Sequence, residues 1–267
     1  MGNKKSKKED KIKDNTIKRF HIDSNEISRL NHLNNMLKKY FGNYYDNNDI
    51  KRLLNQENKH ILDVKCRTGK WCIEMNNEFK GNYFTATNEN TEILVNDNPN
   101  IFYKKINMSN IDFNEKQYDF INTNLLALVI PKNKIEHTIN NLIKSLKEGG
   151  YLQILDFDVK MDIDDKSYNT IIETIDNHGF DCKIIDRIKM ILEKNNNINE
   201  INITKKDFEL NTYDDIYDFY KNGVISALPI IYDINKDLKK YINEEELFKK
   251  IKNNGILRLC RFTYQKN

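Results

Sequence analysis

Residues 60–71 read HILDVKCRTGKW, and this stretch limits the fold more than any other. Ile61-Leu62-Asp63-Val64 is a short apolar run of the kind that forms a buried strand. A tight turn follows at Cys66-Arg67-Thr68-Gly69. From Lys70 to Phe79 the apolar positions Trp71, Ile73, Met75 and Phe79 suit a helix. Strand, turn and helix form the opening unit of a doubly wound α/β sheet, where ligands sit at such turns.

The rest of the chain continues that alternation. A length of 267 residues accommodates one α/β domain with appendages. Strands are predicted over 82–87, 101–106, 118–122, 151–156, 201–210 and 256–264. Helices are predicted over 23–40, 49–56, 132–147 and 167–178, with a further segment at 184–194. The first of these has a capping box, Asp23 with Glu26, and an apolar face of Ile27, Leu30, Leu33 and Leu37; Gly42 stops it. Helical stretches from Tyr213 to Ile251 lie between the last two strands. The expected organisation is a disordered basic tail over 1–20 and one domain over 21–267. That domain has a core at 60–158 and a helical cap at about 211–254.

Net charge is +3 with 31% charged residues of both signs. Such a surface argues against a large nucleic-acid footprint. The four cysteines, Cys66, Cys72, Cys182 and Cys260, have no metal-ligand spacing. They are expected to be small buried thiols of a reducing, cytoplasmic compartment. No zinc pattern, phosphate loop of the GxxxxGK[ST] type or Ser-His-Asp signature is present. The many Asn and Lys residues read as the imprint of an AT-rich genome.

Asp63, the turn and Gly69 resemble the first motif of class I S-adenosylmethionine (SAM) dependent methyltransferases, an acidic residue after an apolar strand followed by Gly-x-Gly-x-Gly. Lys65 and Arg67 replace the first two glycines and Gly69 keeps the third. FTATNEN at 84–90 resembles the end of the family's second strand, with Asn88 where an acid would accept from both ribose hydroxyls. Glu89 stands beside it. LKEGG at 146–150 resembles the family's turn between a helix and the fifth strand, with Glu148 in place of Pro. The resemblance implies a doubly wound, mostly parallel seven-stranded sheet, a Rossmann-like methyltransferase fold, with N-terminal helices and a helical insertion before the last strand. It implies S-adenosyl-L-methionine as cofactor, held by Asp63, Lys65, Cys66, Gly69, Asn88, Glu89, Asn107, Met108 and Asn124, and methyl transfer to an unidentified small-molecule or protein acceptor. The lost glycines and the neutral Asn88 leave a second reading open, an inactive binding or scaffold module. A dinucleotide-binding protein fits less well, because its turn needs the same glycines. Helix residues Asn31, His32, Asn35 and Tyr40 could cover the pocket. Asp156 and Asp158 are expected at a solvated strand end, with one able to face the substrate.

The chain opens MGNKKSKK. Gly2 with Ser6 fits an N-myristoylation pattern, and Lys4, Lys5, Lys7, Lys8, Lys11 and Lys13 supply the basic second signal for membrane contact.

Overall fold

The computed structural model describes residues 24–89, 98–106, 112–127 and 129–267. The basic tail, Gly2, the cap at Asp23, Asn107 and Met108 lie outside the described residues. Two helices lead in, α1 (Ser24–Phe41) and α2 (Asn48–Leu54). Gly42, at φ 80°, stops α1, and the Asn47 side chain caps α2 by accepting from the N–H groups of Asp49 and Ile50.

The alternation then begins with β1 (His60–Val64), α3 (Lys70–Glu78), β2 (Tyr83–Asn88), β3 (Ile101–Lys105) and β4 (Tyr118–Asn124). It continues through α4 (Ile135–Ser145), β5 (Leu146–Phe157), α5 (Lys166–Asn177), α6 (Ile184–Glu193) and β6 (Ile198–Glu209). The expected cap is α7 (Asp214–Ile234), α8 (Leu238–Tyr241) and α9 (Glu244–Asn254), followed by β7 (Ile256–Lys266). Helix formation follows the apolar period: α4 buries Ile135, Ile139, Leu142 and Ile143 at helical spacing.

The seven strands pair in the order β3-β2-β1-β4-β5-β7-β6. β7 runs antiparallel to both its neighbours, while β1 to β5 are mutually parallel. Alternate residues of each strand feed two apolar clusters. Leu62, Val64, Ile121, Leu152 and Ile154 join α1 and the helices from α4 onward. Ile61, Phe84 and Phe120 join Trp71 and Met75 of α3, with Ile50 and Leu54 of α2. Strand order reverses between β1 and β4, so a crevice opens at their C-terminal ends.

One motif takes a different form from its expectation. Leu146 closes the helix, its N–H donating to Ile143 O, and residues 147–150 take no part in the cap. β5 starts at Leu146, directly after α4, and its register against β4 jumps from Tyr118↔Leu146 to Phe120↔Tyr151. Lys147 to Gly150 therefore bulge opposite Asp119, whose carboxylate accepts from Lys147 Nζ at 2.6 Å and the His60 N–H at 2.8 Å. The predicted helix over 132–147 is correspondingly shorter, because Pro131 opens a turn (the Lys134 N–H donates to Pro131 O) before α4 begins.

Candidate functional site: the crevice above β1 and β4

The floor of the crevice is the buried Asp63. Its Oδ1 accepts from Asn122 Nδ2 at 2.8 Å and its Oδ2 lies 3.7 Å from the Cys72 thiol. Asn122 in turn accepts from Gln153, which also donates to the carbonyl of Tyr44. Asp63, Asn122 and Gln153 are register partners on β1, β4 and β5, so a polar row crosses the sheet just below the ligand end. Burial raises the Asp63 carboxyl to about 7, against the opposing bond from Asn122 and the charge of Arg67.

The turn above Asp63 has an unusual backbone. Lys65, Arg67 and Gly69 have φ of 60°, 53° and 73°. These are the three positions where the resembled motif has glycine, and all three keep the left-handed conformation. For an ordinary residue that conformation costs about 1–2 kcal/mol. Thr87 of β2 anchors the turn: its carbonyl accepts from the Cys66 N–H at 2.8 Å and its hydroxyl donates to Asp63 O. Gly69 then caps α3. Cys66 is buried, and burial raises its thiol well above the ordinary range, so it packs as a small apolar group.

Neither basic side chain of the turn simply faces solvent. Arg67 reaches across to β4, where its Nη2 donates to Asn124 O at 2.9 Å and Leu125 O at 3.3 Å. Burial and the nearby Arg29 of α1 lower its guanidinium to about 10, with Asp63 and Asp156 opposing that shift. It remains a cation at neutral pH. Lys65 is lowered to about 7, first by burial and then by the charge of Arg67.

Asp156 corrects the expectation of a solvated strand end. It is completely buried, and its Oδ2 accepts from the N–H groups of Leu126 at 2.6 Å and Ala127 at 3.1 Å. Its Oδ1 accepts from the Phe157 N–H, and burial raises the carboxyl to about 7. Asp158 is half-buried and accepts from the Ile185 N–H at the start of α6. The residue pinned by Arg67 and flanked by Asp156's partners, Leu125, is itself left-handed at φ 57°. Three strained non-glycine residues thus meet at one crevice, a concentration typical of functional sites.

The remaining expected residues divide. Asn88 ends β2 and is buried, and Glu89 follows it half-buried. Asn124 ends β4, and it is its carbonyl that meets Arg67. On α1, Asn31 accepts from the Thr68 hydroxyl at 2.9 Å and Asn35 from Lys70 Nζ at 2.7 Å, so this helix does cover the turn. His32 is exposed, and Tyr40 turns instead to Asp215 of α7 at 2.6 Å. Arg29 and the inward role of Asp156 had no local signal, since both depend on contacts between distant segments.

This arrangement suits the cofactor implied by the resemblance in its backbone: the left-handed cradle, the buried acid below it and the polar end of β2 are all in place. No curated protein sequence matches the chain. A family model described as a methyltransferase domain matches residues 37–210. Among solved structures, a Galdieria sulphuraria protein provisionally named a sarcosine dimethylglycine methyltransferase aligns at 16% identity and TM-score 0.55, covering 82% of each chain. A Haemonchus contortus phosphoethanolamine N-methyltransferase, solved with phosphomonomethylethanolamine and S-adenosylhomocysteine, aligns at 14% identity and TM-score 0.58. That alignment covers 96% of this chain and 60% of the Haemonchus one. A cyclopropane synthase of Mycobacterium tuberculosis aligns at 12% identity and TM-score 0.55, covering 83% and 84%. At such identities the likeness shows the fold alone. The family model spans well over half the chain, and the strand order with its antiparallel last strand agrees with it: this chain belongs to the SAM-dependent methyltransferase domain family.

Proposed function

We propose that the chain binds SAM in the crevice above β1 and β4 and transfers its methyl group to a small-molecule or protein acceptor. One observation carries this reading: the turn keeps left-handed angles at Lys65, Arg67 and Gly69 although two of the three are not glycine. A turn with no ligand to cradle would gain by relaxing the two strained residues. When bound, SAM supplies a methyl group already activated on a sulfonium, so the protein's work is binding and alignment. Asp63 lies beneath the turn, held by Asn122 and the Cys72 thiol. Asn88 and Glu89 would face a ribose, Asn124 would line the far wall, and by resemblance Asn107 and Met108 would meet the base. The absence of a general base from the motifs is consistent with direct displacement.

A second reading, a methyltransferase-fold binding module without catalysis, is favoured by Asn88. It is buried and neutral where a carboxylate would give two charge-assisted bonds. Titration calorimetry of SAM and S-adenosylhomocysteine into the full chain separates the two. Micromolar binding is expected; no heat at millimolar SAM would overturn the first reading. Peripheral membrane attachment through an acylated Gly2 and its lysines is proposed on the sequence alone. Among the described residues no helix is long and apolar enough to cross a membrane. Mass spectrometry after co-expression with an N-myristoyltransferase tests it, and an unmodified Gly2 would dismiss it.

A further inference from the structure

Ligands of a doubly wound sheet enter where strand order reverses, and here that gap lies between β1 and β4. Arg67 starts on the β1 side and ends on the β4 side. Its guanidinium donates to two adjacent carbonyls, Asn124 O at 2.9 Å and Leu125 O at 3.3 Å. From the opposite direction the Asp156 carboxylate takes the N–H groups of Leu126 and Ala127, and Leu155 O takes that of Leu125 at 2.8 Å. The turn after β4 therefore has both its donors and its acceptors bound by the protein itself.

Two converging carbonyls at the mouth of a ligand crevice are a site for a cation. SAM bound in this crevice would bring one, the α-ammonium of its methionine part. The protein supplies its own instead. Asp63 and Asp156 both hold the Arg67 charge in this position, while Arg29 opposes it. Arg67 as a whole residue is half-buried.

We propose that Arg67 is a built-in occupant of the SAM pocket, its guanidinium standing where the ligand's ammonium would bind, and that it must swing out before the cofactor seats. The proposal rests on the SAM reading above and adds a closed state to it. Apparent affinity then falls by the fraction of molecules that are open. Lys65 does not share this role, since it makes no side-chain hydrogen bond or ion pair among the described residues.

The test is calorimetry on wild type, Arg67→Gly and Arg67→Lys with three ligands: SAM, S-adenosylhomocysteine and 5′-methylthioadenosine, which lacks the amino-acid part. Arg67→Gly suits the left-handed backbone at this position, and a thermal melt confirms its fold. The expected result is tighter binding of SAM and of S-adenosylhomocysteine to Arg67→Gly by about 10–100-fold, the scale of one or two hydrogen bonds to a charged group. Arg67→Lys, which keeps the charge on a shorter and more strongly hydrated group, falls between. 5′-Methylthioadenosine binds wild type and Arg67→Gly alike. An equal gain for all three ligands would mean that Arg67 only strains the cradle, and the proposal fails. Wild type binding SAM with no gain in Arg67→Gly would overturn the occupant and leave the SAM reading intact. If neither protein binds any of the three, the SAM reading falls and the occupant with it.

Discussion

The turn after β1 and the bulge at the start of β5 are the two segments that most resemble the family, and they have met substitution differently. The first has lost two of three glycines, yet Lys65 and Arg67 adopt the left-handed angles. The second has kept both Gly149 and Gly150. The difference lies in why each glycine is needed. At positions 65 and 67 the need is a sign of φ, which costs an ordinary residue about 1–2 kcal/mol and no more. At Gly150 the need is space: a Cβ there would lie 2.9 Å from Lys147 O, 3.0 Å from Asp119 O and 3.2 Å from Tyr118 O. Those are backbone atoms of the bulge and of β4, and they cannot rotate away. A conformational requirement is negotiable where a steric one is not.

The largest expected effect breaks the steric side. Gly150→Ala should destabilise the fold by about 3 kcal/mol, the upper range for inserting a methyl group into a packed site. For a chain of this size that lowers the melting temperature by about 6–12 °C. Differential scanning calorimetry checks it. A loss under about 1 kcal/mol would show that β4 and the bulge can separate, and the contrast with the β1 turn would disappear.

What the sequence made legible follows the same division between local and distant causes. Strand and helix positions were readable because burial repeats along each element, as in α4 and in the Ile61–Val64 run. Gly149 and Gly150 were noticed, but their pattern alone does not distinguish a helix cap from a bulge; the register jump against Asp119 decides it. Asp156 looks like a solvated strand end until the turn after β4 folds back and presents the N–H groups of Leu126 and Ala127. Arg67 was visible as a lost glycine. The destination of its side chain, two carbonyls more than fifty residues along the chain, follows only from the pairing of β1 with β4.

A middle-sized effect tests the conformational side. Lys65→Gly should stabilise the protein, since glycine removes the strain and the half-buried cation together. Its own extra freedom in the unfolded chain offsets part of that gain. The charge component has a definite pH dependence. The Lys65 amine has a folded value of about 7 against an ordinary 10.5. Below pH 7 it is protonated in both states and the folded state carries the full penalty. Between about 7 and 10.5 the folded protein releases its proton first, so the penalty fades as pH rises. The gain from Lys65→Gly is therefore expected to be largest below pH 7 and to shrink, as pH approaches 10.5, to the part that strain alone supplies. Lys65→Met, which keeps the strained φ, isolates the charge part and should approach zero gain near pH 10. Urea unfolding across this range measures both. A gain independent of pH would place the Lys65 amine in solvent and leave strain as the only cost.

The smallest effect is the sharpest comparison, because it asks whether a retained glycine is needed at all. Gly149 has φ 75°, but a Cβ placed on it would meet nothing within 4 Å, and it is exposed. It is thus in the situation of positions 65 and 67 while sitting next to Gly150. Its carbonyl accepts from Gln265 Nε2 at 3.0 Å, a bond that a side chain at 149 does not disturb. Asparagine tolerates the left-handed region better than other non-glycine residues. Gly149→Asn should therefore cost about 1 kcal/mol, a fraction of the cost of Gly150→Ala one residue along. A thermal melt of the two variants side by side decides the matter. If Gly149→Asn is as damaging as Gly150→Ala, the bulge is intolerant as a unit, and the survival of the β1 turn with lysine and arginine needs a cause other than the sign of φ.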